Sequence, residues 1–377
     1  MEIYIVQPGD TVDSIAAEQD VPVDTILYNN QIPYPYRLAL GQALLLSMGE
    51  PEEDRPAVVT GGYAYPFISP YVLEQTLPYL NDLFVFSYGF TVDGNLIPPI
   101  LDDSFMITAA HNYDTSPILT LTPFGPNGQF NNYLITRIVN DMDAQNQLIE
   151  QLVDTVLKKD FRGVDIDFEY ILSQDRVAFA AFVANVRAAI NEIGYPVSVA
   201  LAPKIADDQP GLLYEGKDFA LLGEAADSAL LMTYEWGYTY GPPMAVAPLD
   251  KVRQVVEYAV TRIPPEKLNL GIPNYGYDWT LPFVRGESRA RTIGNIEAIQ
   301  IAIENHAAIQ FDEMAMSPFF HYYREGKEHE VWFEDVRSLR AKFGLVEEYG
   351  LRGMGYWTVM QLFRANWLLL ADTFIVV

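Results

Sequence analysis

"FRGVDIDFEY" (residues 161–170) sets Asp165, Asp167 and Glu169 at alternate positions among Val164, Ile166 and Phe168. Residues i, i+2 and i+4 of an extended chain share a face, so the pattern predicts a strand with one apolar face and one acidic face. In a closed barrel the apolar face packs outward on helices and the acids point to the axis. Adjacent acids then sit roughly 6.6 Å apart along the backbone. Two unit charges at that separation repel by about 2.5 kcal/mol at an effective dielectric of about 20. That is enough to keep a shared proton on the group near neutral pH, with titrations that belong to the triplet. The nearest basic residues, Lys158, Lys159 and Arg162, offer no pairing partner, because Arg162 falls at an odd offset and points away. Glu169, last in the strand direction, lies nearest the C-terminal mouth of such a barrel and is the candidate general acid. A retaining glycosidase of the ordinary kind would need a second carboxylate on the opposite side, whereas these three come from one strand.

Outward from this stretch, seven other short apolar runs recur: "GGYAYPFI", "LFVFSYGF", "ILTLTPF", "VSVALAP", "ALLMTYEW", "LNLGIPNYGY" and "LRGMGYWTV". Amphipathic segments such as "DRVAFAAFVANVRAAINEIG" and "LDKVRQVVEYAVTRI" lie between several of them. Eight strands alternating with helices predict an α/β fold of the TIM (β/α)8 type over residues 58–377. A doubly wound open sheet gives a similar alternation, but the first turn has no glycine-rich dinucleotide fingerprint. The long interval between "YGYDW" and "LRGMGYW" holds a helical pattern, "NIEAIQIAIENH", and two strand patterns around "REGK". It predicts a small α+β insertion at about 283–335, forming one wall of a cleft at the barrel mouth.

Ahead of the barrel, "GEPEEDRP" is acidic and bracketed by glycine and proline, which places a linker at 49–57. Residues 1–48 open and close with strand patterns. Asp10 or Thr11 can cap a first helix carrying Val12, Ile15 and Ala16, and Val23, Ile26 and Leu27 suggest a second. The whole chain has 50 acidic against 24 basic side chains, a net charge of -26 that repels phosphate backbones and anionic lipid. Nucleic acid and membranes are therefore not expected as partners. There is no cysteine, and the four histidines (His111, His306, His321, His329) lack ligand spacing, so neither a metal site nor a cofactor is expected. The N-terminus carries no recognisable signal-peptide pattern.

The β-α-α-β segment resembles a LysM domain through Tyr4, Val6, Gly9, Asp10, Thr11, Ile15 and Ala16, completed by Asn29 or Asn30 and "LALGQALLL". That resemblance implies binding of N-acetylglucosamine-containing glycans. Its groove would lie between loops at residues 9–11 and 29–32, so Gly9, Asp10, Thr11, Asn29, Asn30 and Ile32 are candidate contacts. Read alone, Gly9 and Asn30 also suit turns, and Asp10 a helix cap.

"GVDIDFE" resembles the Asp-x-x-Asp-x-Asp-x-Glu signature of glycoside hydrolase family 18, with Arg162 where the family has its first Asp. In that family the 2-acetamido oxygen of the sugar attacks the anomeric carbon, so no second enzymic carboxylate is needed. The resemblance implies that Glu169 is general acid and then base, that Asp167 orients the acetamido group, and that Asp165 shares a proton with Asp167. "LLMTYEWG" resembles the family's sixth strand, which implies Tyr234 on the acetamido carbonyl and Met232 in the floor. Glu235 stands where Asp or Asn is usual. "GMGYWTV" resembles the eighth strand, with Trp357 beneath the sugar, and "LGIPNYGYDW" the seventh, with Tyr275 and Trp279 as wall residues.

LysM followed by such a barrel resembles the spore cortex-lytic N-acetylglucosaminidases and germination proteins of endospore-forming bacteria. The expected partner is peptidoglycan or a chitin-like N-acetylglucosamine polymer, and the expected place the spore coat, the cortex or the cell wall. A chitinase or endo-N-acetylglucosaminidase is the neighbouring enzyme reading, although "LTLTPF" lacks the Ser-x-Gly-Gly common on chitinase third strands. A lectin-like protein is the non-catalytic reading; it would have lost Glu169, which is present.

Overall fold

The computed structural model describes residues 1–46, 54–125, 128 and 131–377, so the 49–53 part of the expected linker lies outside the described residues. At the N-terminus, strands Ile3–Ile5 and Ala43–Leu45 pair antiparallel around helices Val12–Gln19 and Val23–Asn29. Val12, Ile15, Ile26, Ile32, Leu44 and Leu46 fill the space between them. Thr11 caps the first helix by accepting from the Ser14 amide, and Ser14 reciprocates on the Thr11 amide.

Eight parallel strands follow: Ala57–Ala64, Asp82–Phe90, Ser116–Leu121, Val164–Ile166, Val197–Leu201, Ser228–Leu231, Leu268–Pro273 and Gly353–Trp357. Each pairs with the next, and the first pairs with both the second and the eighth, which closes the sheet into a barrel. All eight apolar runs of the sequence are thus strands of one (β/α)8 barrel, and the open doubly wound sheet is ruled out by the closure. Helices Met142–Lys159, Arg176–Glu192, Leu249–Ala259 and Val336–Tyr349 belong to the outer layer and bury Leu148, Leu152, Phe179, Phe182, Val252, Val256, Leu339 and Phe343.

Between the seventh and eighth strands the chain builds a five-stranded antiparallel sheet from Gly276–Thr280, Arg291–Ile293, Gln310–Asp312, Ser317–Arg324 and Lys327–Trp332, with helix Asn295–Glu304. This sheet starts at Gly276, ahead of the 283 expected from the pattern. The seventh strand stops at Pro273 because Asn274 turns its side-chain amide to the carbonyls of Thr358 and Gln361, at 2.9 Å each.

The N-terminal module rests on the barrel and on the inserted sheet. The Arg364 amide donates to Gln31 Oε1 at 2.6 Å, Gln31 Nε2 donates to the Leu362 carbonyl at 3.3 Å, and the Arg364 guanidinium stacks 4.1 Å from the Tyr28 ring. On the other side the Ile309 amide donates to the Leu40 carbonyl at 2.8 Å. Gly41, at φ +77, lets the backbones meet there, since a Cβ would lie 2.0 Å from the Ile309 oxygen.

One fully buried ion pair joins the insertion to the outer layer: Lys342 Nζ lies 2.8 Å from Glu334 Oε2, with neither side chain exposed. Lys342→Met should leave the Glu334 carboxyl unpaired and cost about 3–5 kcal/mol of stability. Denaturant unfolding monitored by the tryptophans measures that loss; a variant as stable as the parent would contradict it.

Candidate active site

Helix Met142–Lys159 ends at Asp160, whose backbone is left-handed at φ 63. The chain re-enters the barrel through Gly163, where a Cβ would lie 2.9 Å from Ile118 Cδ1 and 3.0 Å from the Pro196 oxygen. In the fourth strand Val164 and Ile166 face outward, fully buried, and Phe168 just beyond stacks on Phe179 and Phe182 of the next helix with centroids at 5.6 Å. The ladder to the neighbouring strands ends at Ile166, so Asp167 and Glu169 project from its C-terminal end at the mouth. Arg162 sits at the opposite end, donating to the Tyr195 hydroxyl at 2.5 Å and pairing with Asp160 at 3.1 Å. It faces away from the acids, as its odd offset predicts.

The three acids share one buried neighbourhood, and each is held differently. Asp165 is fully buried, accepting from the Tyr63 hydroxyl at 2.9 Å and the Ser198 hydroxyl at 2.6 Å. Its pKa is pushed up to about 7, first by burial and then by Asp167, while the two hydroxyls and Lys217 pull it back. Asp167 rises to about 6 through burial, opposed by Lys217. One of its oxygens, Oδ1, is buried and accepts no hydrogen bond. Glu169 rises to about 7 through burial and then Asp167, with Lys217 opposing. A proton held near neutrality therefore matches the expectation from the sequence, but its cause is corrected: desolvation comes first and repulsion between the acids second. The expectation that the triplet has no cationic neighbour also fails, because Lys217, distant in sequence, is buried close by.

Asp167 and Glu169 open into a cavity of about 600 Å³ also lined by Met232, Tyr234, Glu235 and Trp357. Trp357 is braced edge-on by Phe86 at 5.0 Å and tilted against Tyr63 at 5.4 Å. The Tyr234 hydroxyl is kept protonated by burial and by the negative field of Asp167 and Glu169. Glu235, in the left-handed region at φ 68, accepts on one oxygen from the hydroxyls of Tyr275 and of Tyr277, the latter at 2.9 Å. Burial raises its pKa and the two phenols lower it. Tyr275 thus reaches the site and borders an adjoining cavity of about 350 Å³.

Trp279 does not line the cleft. It is 1% exposed, and its indole N–H donates to the Gly241 carbonyl at 2.8 Å. It belongs to the first strand of the inserted sheet and fills core, so its expected role as a wall residue is withdrawn. Sequence reasoning missed Tyr63 and Ser198, which hold Asp165, and Tyr277, which holds Glu235. Tyr63 lies in "GGYAY" at the end of the first strand, where only the barrel's closure brings it to the fourth.

In the N-terminal module the front loop is open: Gly9 and Thr11 are exposed, and Asp10 accepts from the Tyr4 hydroxyl at 2.9 Å and the Gln7 amide at 2.7 Å. The rear candidates differ from expectation. Asn29 and Asn30 are buried and bonded to the Leu45 backbone, and Ile32 is part of the module's core, so these side chains serve the fold. Among the described residues no group of three or more His, Cys, Asp or Glu is arranged to hold a metal ion, and no helix is long and apolar enough to cross a membrane.

Residues 125–361 match the family model of glycosyl hydrolases family 18, and residues 4–47 that of the LysM domain. The chain is 35% identical to a cortical fragment-lytic enzyme of Bacillus subtilis, over 100% of this chain and 99% of that protein. Among solved structures it resembles the spore cortex-lytic enzyme SleL of Bacillus megaterium at 36% identity and a TM-score of 0.83, covering 100% of this chain and 87% of that one. A chitinase from Chromobacterium violaceum superposes with a TM-score of 0.77 at 25% identity, over 84% of this chain and 98% of that one.

Asp165 binds its proton more tightly in the folded chain than in the unfolded one. Its contribution to stability is therefore fully present below its ordinary value of 3.8 and is lost as pH rises through about 7. Asp165→Asn should remove that loss, so its melting temperature should gain on the wild type by roughly 5 °C between about pH 4 and pH 8. Scanning calorimetry across the range tests this; a constant difference would mean that Asp165 is ionised throughout.

Proposed function

The chain belongs to glycosyl hydrolase family 18 and carries a LysM domain, and from that membership we propose that it is a peptidoglycan hydrolase of the spore cortex. It cleaves the β-1,4 bond after N-acetylglucosamine by a retaining, substrate-assisted route. The observation that carries the reading is Asp167 Oδ1, a buried acceptor with no partner beside Glu169 and Tyr234. Buried polar atoms are ordinarily satisfied, and an acetamido N–H laid against this oxygen satisfies it.

In this scheme Glu169, protonated near neutral pH, gives its proton to the leaving glycosidic oxygen as the bond to the anomeric carbon breaks. The acetamido oxygen of the same sugar attacks that carbon from the other face, forming an oxazolinium ion. Asp167 holds the N–H and the positive charge, Tyr234 donates to the acetamido oxygen, and Asp165 supports Asp167 with its own proton. Trp357 and Met232 form the floor. Glu169, now a carboxylate, takes a proton from water, which attacks the anomeric carbon and restores the acetamide with net retention. Glu235 is poorly suited to be an enzymic nucleophile, because two phenols occupy one of its oxygens. The LysM module binds the same polymer, with residues 9–11 as the accessible side of its groove. Cortex or wall is then where the protein acts, and the similarity to enzymes named for the spore cortex supports cortex over chitin.

Parallel digestion of purified spore cortex, vegetative wall and chitin, with mass spectrometry of the released ends, tests substrate and bond together. N-acetylglucosamine reducing ends released from cortex are expected; release from chitin alone would overturn the substrate assignment. Glu169→Gln should lower turnover on the same substrate by roughly 10²- to 10⁴-fold, and undiminished turnover would sink the catalytic scheme.

A further inference from the structure

Lys217 is a buried charge beside the cleft that the scheme above leaves without a task. It precedes helix Phe219–Ala225, in a connection where a lysine ordinarily keeps its ammonium in water. Here the side chain is fully buried. Its Nζ donates to the Ala200 carbonyl on the fifth strand and lies 5.9 Å over the Phe179 ring. Ala200 lines the same cavity as Asp167 and Glu169, and two residues before it Ser198 holds Asp165. A second buried lysine touches the same segment from outside the acid row: Lys204 Nζ, on a residue 2% exposed, donates to the Lys217 carbonyl at 2.9 Å.

Taking an ammonium out of water is costly unless nearby charge compensates it. The compensation comes from the acid row, with Asp167 contributing most, then Glu169, then Asp165. Burial pushes the Lys217 pKa down to about 8, which leaves it charged at neutral pH. Among the described residues the other titratable groups facing the acids are Tyr63 and Tyr65 at the end of the first strand, Tyr170 beside Glu169, and Tyr234 and Glu235 beyond the sixth strand. None of these is a cation.

We propose that Lys217 is a positioning residue for catalysis, the counter-charge that holds one carboxylate of the row ionised, at Asp167, while burial and that ionised neighbour keep the proton on Glu169. One buried cation balances one buried anion. A second ionisation in the row would go uncompensated, so burial and the charge on Asp167 keep Glu169 an acid when substrate arrives, against the smaller pull of Lys217 itself. The inference rests on the substrate-assisted reading, in which Asp167 must be charged while Glu169 is not.

The test compares Lys217→Met with Lys204→Met, following the pH dependence of kcat/KM on solubilised cortex fragments alongside thermal melting. Without the counter-charge the acids hold their protons to higher pH. Both limbs of the Lys217→Met profile should therefore move to higher pH, the acidic limb by about one unit, a roughly tenfold loss of rate below it. Lys204→Met loses the bond to the Lys217 carbonyl and a charge facing Asp218 and Asp207 but leaves the Lys217 ammonium beside the acid row, so it should melt earlier with both limbs in place. A folded Lys217→Met enzyme with the wild-type profile would overturn the proposal. Should that variant fail to fold, the wild-type protein labelled with ¹³C and ¹⁵N in lysine answers the same question. A buried lysine Nζ charged at pH 6 is expected, and a neutral amine there would overturn the proposal. A wild type inactive on every wall substrate would instead sink the proposed function, leaving the charge state of Lys217 to be read by the label.

Discussion

Removing carboxyl groups from water is the constraint around which the barrel mouth is built. A buried carboxylate must find hydrogen bonds or a cation, or keep its proton. Along the fourth strand these outcomes are distributed over three residues. Asp165 receives two hydroxyl donors from the first and fifth strands, Asp167 keeps one oxygen bare, and Glu169 sits at the rim where a proton can be exchanged. The Tyr63 donor can reach only because the sheet is closed, whereas Ser198 is the register neighbour of Asp165 on the adjoining fifth strand. Fold and chemistry are thus coupled at one point, since opening the barrel would expose the acids and return them to ordinary carboxylate behaviour.

That coupling explains what could be read from the sequence. The eight strands were legible because each carries an apolar run of strand length, and the acids because a period of two cannot be hidden in a strand. What failed was contact between distant segments. Lys217 in "EGKDF" has the composition of a solvated turn, and nothing local marks it as buried under the cleft. Asn29 and Asn30 are small polar residues next to a turn, which a glycan groove or a folded interior would use equally well. The interior took them, because the Leu45 backbone needed partners.

Trp279 shows a different kind of error. "NYGYDW" continues the apolar texture of the seventh strand, so periodicity carries the strand too far. The interruption comes from Asn274, whose amide is bound by carbonyls after the eighth strand. Beyond it the chain leaves the barrel and pairs antiparallel with Lys327–Trp332, which turns Trp279 into core while Tyr275 and Tyr277 remain directed at Glu235. The insertion therefore does more than raise a wall, since it brings a phenol to the barrel's sixth-strand carboxyl.

Glu235 then becomes intelligible as a substitution. A carboxylate at this point on a strand end, with its backbone held at positive φ, has to span the distance to two phenols that arrive from the seventh-strand connection and the inserted sheet. Glutamate has one methylene more than aspartate, and that length lets a single oxygen accept from both. The two donors stabilise its ionised form while burial opposes it. Its negative field adds to that of Asp167 at Glu169, which favours the protonated state that the proposed scheme requires. A residue that departs from the usual family pattern is thereby placed to help Glu169 keep its proton, against the pull of Lys217.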